Sequence, residues 1–295
     1  MNQNRKIGIL YALGAFGFWG LIPIYFKAIA QVSPLEILCH RVIWSVPLCA
    51  AAITLARQWP TVIQPLANRG VQKNLVLSST LIAINWFIFI WAVNNGHVLE
   101  SSLGYFINPL VNVLLGTIFL KERLRPAQKI AVLLAAAGTI VLTTRLGTFP
   151  WISLSLACTF RSYGFIRKTV CIESLAGLFV ETSLLMPAAL GYLIYLEYIG
   201  ELSWGHIGWS PTLLMISAGA VTSLPLVLFA KGARLLEYST LGLCQYITPT
   251  TQFLLAIFIY NEPFTTTHLV TFGLIWSGLA IYMTEIYRNQ RGLAE

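Results

Sequence analysis

The segment SSLGYFINPLVNVLLGTIFLKE, from Ser101 to Glu122, is the main indication of the fold, because it recurs as STLGLCQYITPTTQFLLAIFIYNE, from Ser239 to Glu262. In both copies a Ser-x-Leu-Gly opening leads to a proline, Pro109 or Pro249, and an apolar run then ends 13 residues later at a glutamate. We call the number of residues that separates Pro109 from Pro249 the repeat offset. Two positions of the chain are matched when the same number of residues separates them. A long repeat of this kind indicates that the chain is built from two copies of one structural unit.

The composition places this chain among membrane proteins. Hydrophobic residues make up 57% of the 295 residues and charged residues only 10%, whereas about a quarter of the residues in a soluble domain are charged. The basic residues behind the net charge of +8 are scattered through short loops and form no stripe that would bind nucleic acid. The five cysteines show no CxxC spacing and the four histidines form no cluster, so we expect no metal site and no cofactor.

Ten apolar segments are predicted to cross a membrane, because a spanning helix needs about 20 mainly apolar residues. The first segment follows Arg5 and Lys6 and is too long for the apolar part of a cleaved signal peptide, so we expect it to span the membrane. The predicted spans are Ile7–Ala28, Leu35–Leu55, Leu75–Val93, Val98–Leu120, Ala127–Leu142, Trp151–Ile166, Ala176–Glu197, Pro211–Ala230, Ser239–Tyr260 and Thr267–Tyr287.

The loop charges predict the orientation of these spans. With the N-terminus in the cytoplasm, fifteen lysines and arginines fall on the cytoplasmic side and two on the other side. Such a bias is typical of cytoplasmic loops. We therefore predict a multi-pass protein of the plasma (inner) membrane of a bacterium, with both termini in the cytoplasm.

The repeat extends beyond its opening motif, since Gly138 and Gly278 are separated by the same offset as Pro109 and Pro249. Residues 5–145 and 150–290 are therefore predicted to be two copies of a five-helix unit. An odd number of spans in each copy forces the second copy to insert upside down, which is the inverted-repeat plan of secondary transporters. The predicted fold is an all-α polytopic membrane protein of ten transmembrane helices, arranged as two inverted five-helix repeats.

The repeated motifs carry a family resemblance. The closing segments LKER (Leu120–Arg123) and YNEP (Tyr260–Pro263), after their mid-helix prolines, resemble the EamA domain of the drug/metabolite transporter superfamily. The segments HRVIWS (His40–Ser45), FIWAVNNGHVLESSLGYFINPLVN (Phe89–Asn112) and STLGLCQYITPT (Ser239–Thr250) most resemble the RarD permease subfamily. The resemblance covers nearly the whole chain. It implies ten helices in two inverted EamA repeats and the transport of small metabolites or drugs.

Polar side chains within the spans predict a solute site at the centre of the bundle, because polar groups are costly in lipid and usually face the interior. Pro109 and Pro249 are predicted hinges, since each removes a backbone donor near the middle of a span. The predicted substrate-binding residues are Trp19, Asn85, Tyr105, Asn108, Asn112, Arg161, Tyr163, Gln245 and Gln252.

Two arginines lie within predicted spans, where an arginine that faces lipid costs at least roughly 2.5–3.5 kcal/mol. For Arg41 we expect a mainly structural role, with Glu36 as the local acidic partner. For Arg161 a structural role is weighed equally against binding an anionic group of the solute. Glu122 and Glu262 are expected to be structural, each capping the following helix or pairing with a nearby base.

The sequence carries no GxSxG, Walker A or HExxH motif and no ATP-binding domain, so we expect neither an enzyme nor an ATP-driven pump. The predicted function is a secondary transporter or exporter (permease) of small organic solutes such as metabolites, amino acids or drugs, acting by alternating access. The alternative is a uniporter- or channel-like facilitator without ion coupling.

A proton could be carried by Glu36 or Glu181, both near helix ends. The expected partners are a small-molecule solute and the lipid bilayer. The sequence is compatible with a monomer and with a homodimer.

Overall fold

The computed structural model describes residues 3–120, 126–146, 149–170, 172–236, 240–241 and 244–292. Glu122 lies outside these ranges. The side chains of Pro109 and Asn112, a predicted hinge and a predicted ligand of the solute, also lie outside the described part of the chain. Over the described residues the chain is helical and contains no strand.

Eleven α-helices account for most of the described chain. They are α1 (Gln3–Ala28), α2 (Pro34–Leu55), α3 (Trp59–Leu66), α4 (Arg69–Asn94), α5 (Val98–Leu120), α6 (Pro126–Leu146), α7 (Trp151–Thr169), α8 (Ser174–Tyr198), α9 (Trp209–Leu235), α10 (Ile247–Leu254, continued by a π-helical turn at Leu255–Ile259) and α11 (Thr266–Gly292).

Nine of the ten predicted spans each coincide with one of these helices. The short helix α3 lies in a polar loop, where the sequence predicts no span. The ninth predicted span is different, because a turn at Gln245 and Tyr246 interrupts the helix before α10 begins at Ile247. Pro249 thus lies in the first turn of α10, where a missing backbone N–H removes no helical hydrogen bond. By contrast, α5 continues through Pro109 without interruption.

Seven of the described helices are long and apolar enough to cross a membrane, namely α1, α2, α4, α6, α8, α9 and α11. Their outer faces carry exposed apolar side chains such as Leu10, Leu133 and Ile194, each 68% exposed. Exposing so much apolar surface to water would be energetically unfavourable, whereas contact with lipid tails is not. The chain is therefore a polytopic all-α membrane protein.

The helices pack in a pattern that crosses between the two halves of the chain. Helix α1 packs against α9 and α10, and α2 packs against α8 and α9. Helix α7 packs against α4 and α5, α5 packs against α10, and α6 packs against α11. Neither half forms a bundle of its own over the described residues, so the interior of the protein is shared between them.

Two glycines set the distance between α6 and α11. A Cβ atom on Gly278 would lie 2.9 Å from the carbonyl oxygen of Ala131, and a Cβ atom on Gly138 would lie 3.1 Å from that of Thr271. Ala131 and Thr271, like the two glycines, are separated by the repeat offset. The α6–α11 contact is therefore made by matched positions of the two halves, at a distance that only small residues allow.

The bundle has two ends that side-chain contacts identify. At the N-terminal end, Arg234 lies 3.5 Å from Glu173. At the opposite end, the carboxylate of Glu36 accepts hydrogen bonds from the backbone N–H groups of Ser203 and Trp204.

Replacing Gly278 with valine should destabilise the protein, because the new side chain would meet the Ala131 carbonyl group. We expect the free energy of unfolding to fall by about 1–3 kcal/mol, the usual cost of overpacking. Gly273→Val is the matched control, since Gly273 lies in the same helix and a Cβ atom there meets nothing within 4 Å. Unfolding in mixed detergent, followed by circular dichroism, measures both variants. Equal losses of stability would show that the close contact has no energetic weight.

Candidate functional site

The interior of the bundle contains two amide side chains whose hydrogen-bonding capacity is not fully used by the described residues. Asn108 of α5 is 0% exposed, and neither its amide nitrogen nor its oxygen has a partner among the described residues. Gln252 of α10 is 1% exposed; its Nε2 donates to the carbonyl oxygen of Trp19 at 3.3 Å, while its Oε1 accepts from no described residue. An unpaired buried polar group costs about 1–3 kcal/mol. These amides are therefore suited to a polar ligand.

Aromatic rings line the same face of α5. Tyr105, one helical turn before Asn108, lies between Phe89 of α4 at 5.8 Å and Phe160 of α7 at 6.1 Å, measured between ring centroids. Tyr105 is only partly buried, and its hydroxyl group makes no hydrogen bond to a described residue. The predicted residues Tyr105 and Asn108 thus lie on one face of α5, next to α7.

The predicted residues on α7 have different surroundings. Arg161 is partly buried, with its guanidinium carbon 5.6 Å from the centre of the Phe160 ring. Tyr163 donates a hydrogen bond of 3.2 Å to the Glu181 carboxylate of α8. Arg161 and Tyr163 therefore flank the Tyr105–Phe160 contact, but Tyr163 is already paired within the protein.

Asn85 serves the packing of two helices. Its amide nitrogen donates to the carbonyl oxygen of Leu156 at 3.0 Å and to the Thr159 hydroxyl at 2.9 Å, both on α7. The prediction that Asn85 binds a solute therefore receives no support from its donors, which are occupied. The same two bonds fix α4 against α7.

Trp19 and Gln245 have contacts that differ from those of Tyr105. The ring of Trp19 packs 5.6 Å from Phe16 and 5.9 Å from Phe229, while its carbonyl oxygen accepts from Gln252. Gln245 is partly buried in the turn that precedes α10. A hydrogen bond thus links two of the predicted residues, Trp19 and Gln252, directly to each other.

Arg41 does not pair with Glu36, so that expectation is wrong. Glu36 is held by the N–H groups of Ser203 and Trp204, at 2.9 and 3.0 Å, which lie in the loop between α8 and α9. The Arg41 Nε donates instead to the Thr222 hydroxyl of α9 at 2.7 Å. Arg41 follows Glu36 by five positions, which turns their side chains to different faces of α2.

A second buried charge cluster surrounds Glu181, which is 0% exposed. Its carboxylate accepts from the Ser78 hydroxyl at 2.5 Å and from Tyr163, and the Arg167 Nε lies 3.7 Å away. Arg167 is one of the fifteen basic residues predicted to lie on the cytoplasmic side, and its pairing with Glu181 was not predicted. The signal available was the position of Arg167 close to the end of an apolar segment, from which a long side chain can reach back into the bundle.

Glu262 caps a helix, but it is the N-terminus of α5 and not the helix that follows it. Its two carboxylate oxygens accept from the N–H groups of Val98 and Leu99 at 2.8 and 2.7 Å. Burial raises the pKa of this carboxyl group above its ordinary value, although the two N–H donors and the nearby Lys27 favour the charged form. An acid is stabilised at a helix N-terminus by the macrodipole.

An open cavity of about 320 Å³ lies between α5, α10 and α11. Its wall is mainly apolar and includes Phe106, Tyr246 and Trp276. Neither Asn108 nor Gln252 lines it. We therefore assign the candidate site to the polar face of α5 and not to this cavity. The described residues also contain no group of three or more metal-binding side chains.

Comparisons with known proteins agree with one another. Residues 6–144 match the EamA-like transporter family. The chain is 46% identical to Protein RarD of Salmonella typhi over 98% of both chains. It is 45% identical to an uncharacterized transporter of Vibrio cholerae over 96% of this chain and 94% of that protein.

Two more distant proteins extend the comparison. The chain is 32% identical to the chloramphenicol-sensitive protein RarD of Pseudomonas aeruginosa, over 94% of this chain and 93% of that protein. A solved crystal structure aligns with a TM-score of 0.57 at 21% identity, over 94% of this chain and 97% of that one. That likeness concerns the fold alone.

Removing Arg167 should strongly destabilise the protein, because it leaves the Glu181 carboxylate buried without a counter-charge. We expect Arg167→Ala to cost about 3–5 kcal/mol of unfolding free energy, and the same change to cost much less when Glu181 is already glutamine. Denaturation of the four proteins of this double-mutant cycle measures the coupling. Arg69→Ala, at an exposed arginine, is the control. If Arg167→Ala costs the same in both backgrounds, the two side chains do not interact.

Proposed function

This chain belongs to the EamA-like transporter family, within its RarD subfamily, and from that premise we propose that it is a secondary transporter of small organic solutes that acts by alternating access. The solutes are metabolites, amino acids or drugs, and the membrane is the bacterial inner membrane with both chain termini in the cytoplasm. The name of the Pseudomonas aeruginosa relative, chloramphenicol-sensitive protein, supports including chloramphenicol among the solutes to be tested.

One observation carries the site assignment. Asn108 is fully buried near the middle of α5, and both atoms of its amide group lack a partner in the described protein. Buried amides in folded proteins are nearly always hydrogen-bonded, so each exception requires an explanation. A solute that brings its own donors and acceptors supplies one, and Tyr105 with Phe160 provides an aromatic wall beside it. Such a combination of few polar groups and several rings is typical of small-molecule sites.

The proposed architecture is ten spans in two inverted repeats, residues 5–145 and 150–290. The helix contacts support it, because they keep the same pattern when the halves are exchanged. The pair α1–α9 becomes α7–α4, the pair α1–α10 becomes α7–α5, and α2–α8 and α6–α11 map onto themselves. The matched contacts of Gly138 and Gly278 follow the same exchange.

Both ends of the bundle are held by contacts between different segments, which supports alternating access, because each end can open only when its own contacts are released. At the end that carries Glu36 and Glu262, the two carboxylates accept four backbone hydrogen bonds from other segments. At the N-terminal end, Arg234 and Glu173 form an exposed pair at 3.5 Å, and such a pair contributes only about 0–1 kcal/mol. Arg167 also donates to the Glu173 carbonyl oxygen and lies 3.7 Å from the buried Glu181 carboxylate.

Uptake into proteoliposomes tests the proposed function. The panel contains amino acids and chloramphenicol, each with and without a pH gradient. Saturable uptake by the wild-type protein is the expected result. Stimulation by the gradient would favour proton coupling, and equal uptake without it would favour a facilitator.

Asn108→Ala tests the site. We expect the ratio of maximal rate to half-saturating concentration to fall by about tenfold or more, since a lost hydrogen bond to a buried group is worth roughly 1–3 kcal/mol. Without solute, the Asn108 amide makes no hydrogen bond to a described residue. The substitution therefore removes no such bond, and we expect no loss of stability from that cause. Asn95→Ala, in an exposed turn, is the control. Wild-type uptake by Asn108→Ala would exclude this residue from the site, and the absence of any saturable uptake would overturn the function.

A further inference from the structure

Arg41 is a buried cation that lacks an acidic partner among the described residues. It is 6% exposed, and within that part of the chain its side chain makes a single hydrogen bond, from Nε to the Thr222 hydroxyl. No described carboxylate lies within ion-pair distance of it. Its terminal guanidinium nitrogens are therefore not used by the described protein.

The aromatic surroundings of Arg41 leave those nitrogens available. The guanidinium carbon lies 4.0 Å above the centre of the Trp86 ring and 5.9 Å from that of Phe26. A cation over the face of a ring is stabilised there. The contact uses the flat face of the guanidinium group, whereas its N–H donors point out along the edges in a fork that matches a carboxylate.

One of the unused groups of α5 lies near Arg41. Tyr105 is near enough to interact with Arg41 electrostatically, and its hydroxyl has no hydrogen bond to a described residue. Asn108 lies one turn further along the same face of α5. Tyr25 also approaches Arg41, but its hydroxyl is already used by the carbonyl oxygen of Leu214 at 2.6 Å. Arg41, Tyr105 and Asn108 thus share unused hydrogen-bonding capacity.

The matched residue in the second half, Glu181, is a buried charge that has its partners within the protein. Glu181 follows Arg41 at the repeat offset. It has a counter-charge in Arg167 and hydrogen bonds from Ser78 and Tyr163. Arg41 has the opposite charge and, among the described residues, only a hydroxyl and aromatic rings. A buried charge without a partner is costly, and an anion from outside the protein would remove that cost.

We propose that Arg41 binds a carboxylate group of the transported solute by a two-pronged contact, while Tyr105 and Asn108 hold its other polar groups. This assignment rests on the proposed transport function and specifies the chemical class of the solute as an organic anion or a zwitterion. The Trp86 ring fixes the guanidinium plane, and Phe160 offers a surface for the apolar part of the solute.

The test uses two probes of the same shape, 3-phenylpropanoate and its neutral amide, 3-phenylpropanamide. Their binding to the purified full-length protein is measured by the rise in melting temperature with probe concentration. We expect the carboxylate, but not the amide, to stabilise the wild-type protein. Arg41→Gln should raise the dissociation constant of the carboxylate by about 10- to 100-fold, and Tyr105→Phe should raise it less.

Two further variants separate the role of Arg41 from general effects of substitution. Arg41→Lys keeps the positive charge and loses the fork, so we expect it to restore part of the affinity. Arg145→Gln makes the same change as Arg41→Gln at an exposed arginine and should bind like the wild type. If Arg41→Gln does not fold, Arg41→Lys and Tyr105→Phe still decide the question.

The outcomes distinguish this inference from the proposed function. Equal binding of the two probes, no binding of the carboxylate, or equal affinities in Arg41→Gln and Arg145→Gln would each overturn the carboxylate site. Saturable transport of other solutes in that case would leave the transport function standing. Binding that depends on Arg41 without transport of any solute would support the site and contradict the transport function.

Discussion

A polar group inside a membrane-spanning bundle must find its partner within the protein, and this constraint organises the whole structure. Lipid offers no hydrogen bonds, so the cost of an unpaired group is not relieved by solvent. The protein meets the constraint by joining distant segments. Glu36 of α2 holds the loop after α8, Glu262 holds the start of α5, and Glu181 of α8 is held by α4 and α7. Each of these acids connects elements that are far apart in the sequence.

The same constraint makes the exceptions informative. Asn108, the Oε1 of Gln252 and the terminal nitrogens of Arg41 lie in the interior without described protein partners. Lipid cannot satisfy such groups, and under the proposed function their partner is the solute. Arg41 and Asn108 lie on the continuous helices α2 and α5. Gln252 lies on α10, which begins after the turn that interrupts the ninth predicted span.

The contact pattern has the symmetry of two related halves, whereas the charges do not. Gly138 and Gly278 make equivalent contacts between α6 and α11. Arg41 and Glu181 are separated by the same repeat offset, yet one is a cation and the other an acid. Under the proposed function, a strictly symmetric protein would offer the solute the same interactions from both sides of the membrane. Opposite charges at matched positions make the two sides chemically different.

The helical membrane class, the approximate limits of most helices and the family could all be predicted from the sequence. These properties depend on local apolar length, on prolines and glycines at fixed spacing, and on motifs that stand intact in the chain. The sequence also identified Tyr105 and Asn108 as one polar face, since their spacing within a helix settles this. The partners of the charged residues could not be read in the same way. Glu36 was expected beside Arg41, but it bonds to Ser203 and Trp204, and Arg167 reaches back to Glu181.

The tertiary structure alone decided which polar residues are satisfied and which are not. Asn85, Asn108 and Tyr163 look alike in the sequence, as polar residues within apolar segments. Packing gives Asn85 two partners on α7 and gives Tyr163 a carboxylate, while it leaves Asn108 with none among the described residues. The physical reason is that a hydrogen bond requires the approach of two atoms to about 3 Å. That approach depends on how helices from distant parts of the chain are packed, which no local pattern specifies.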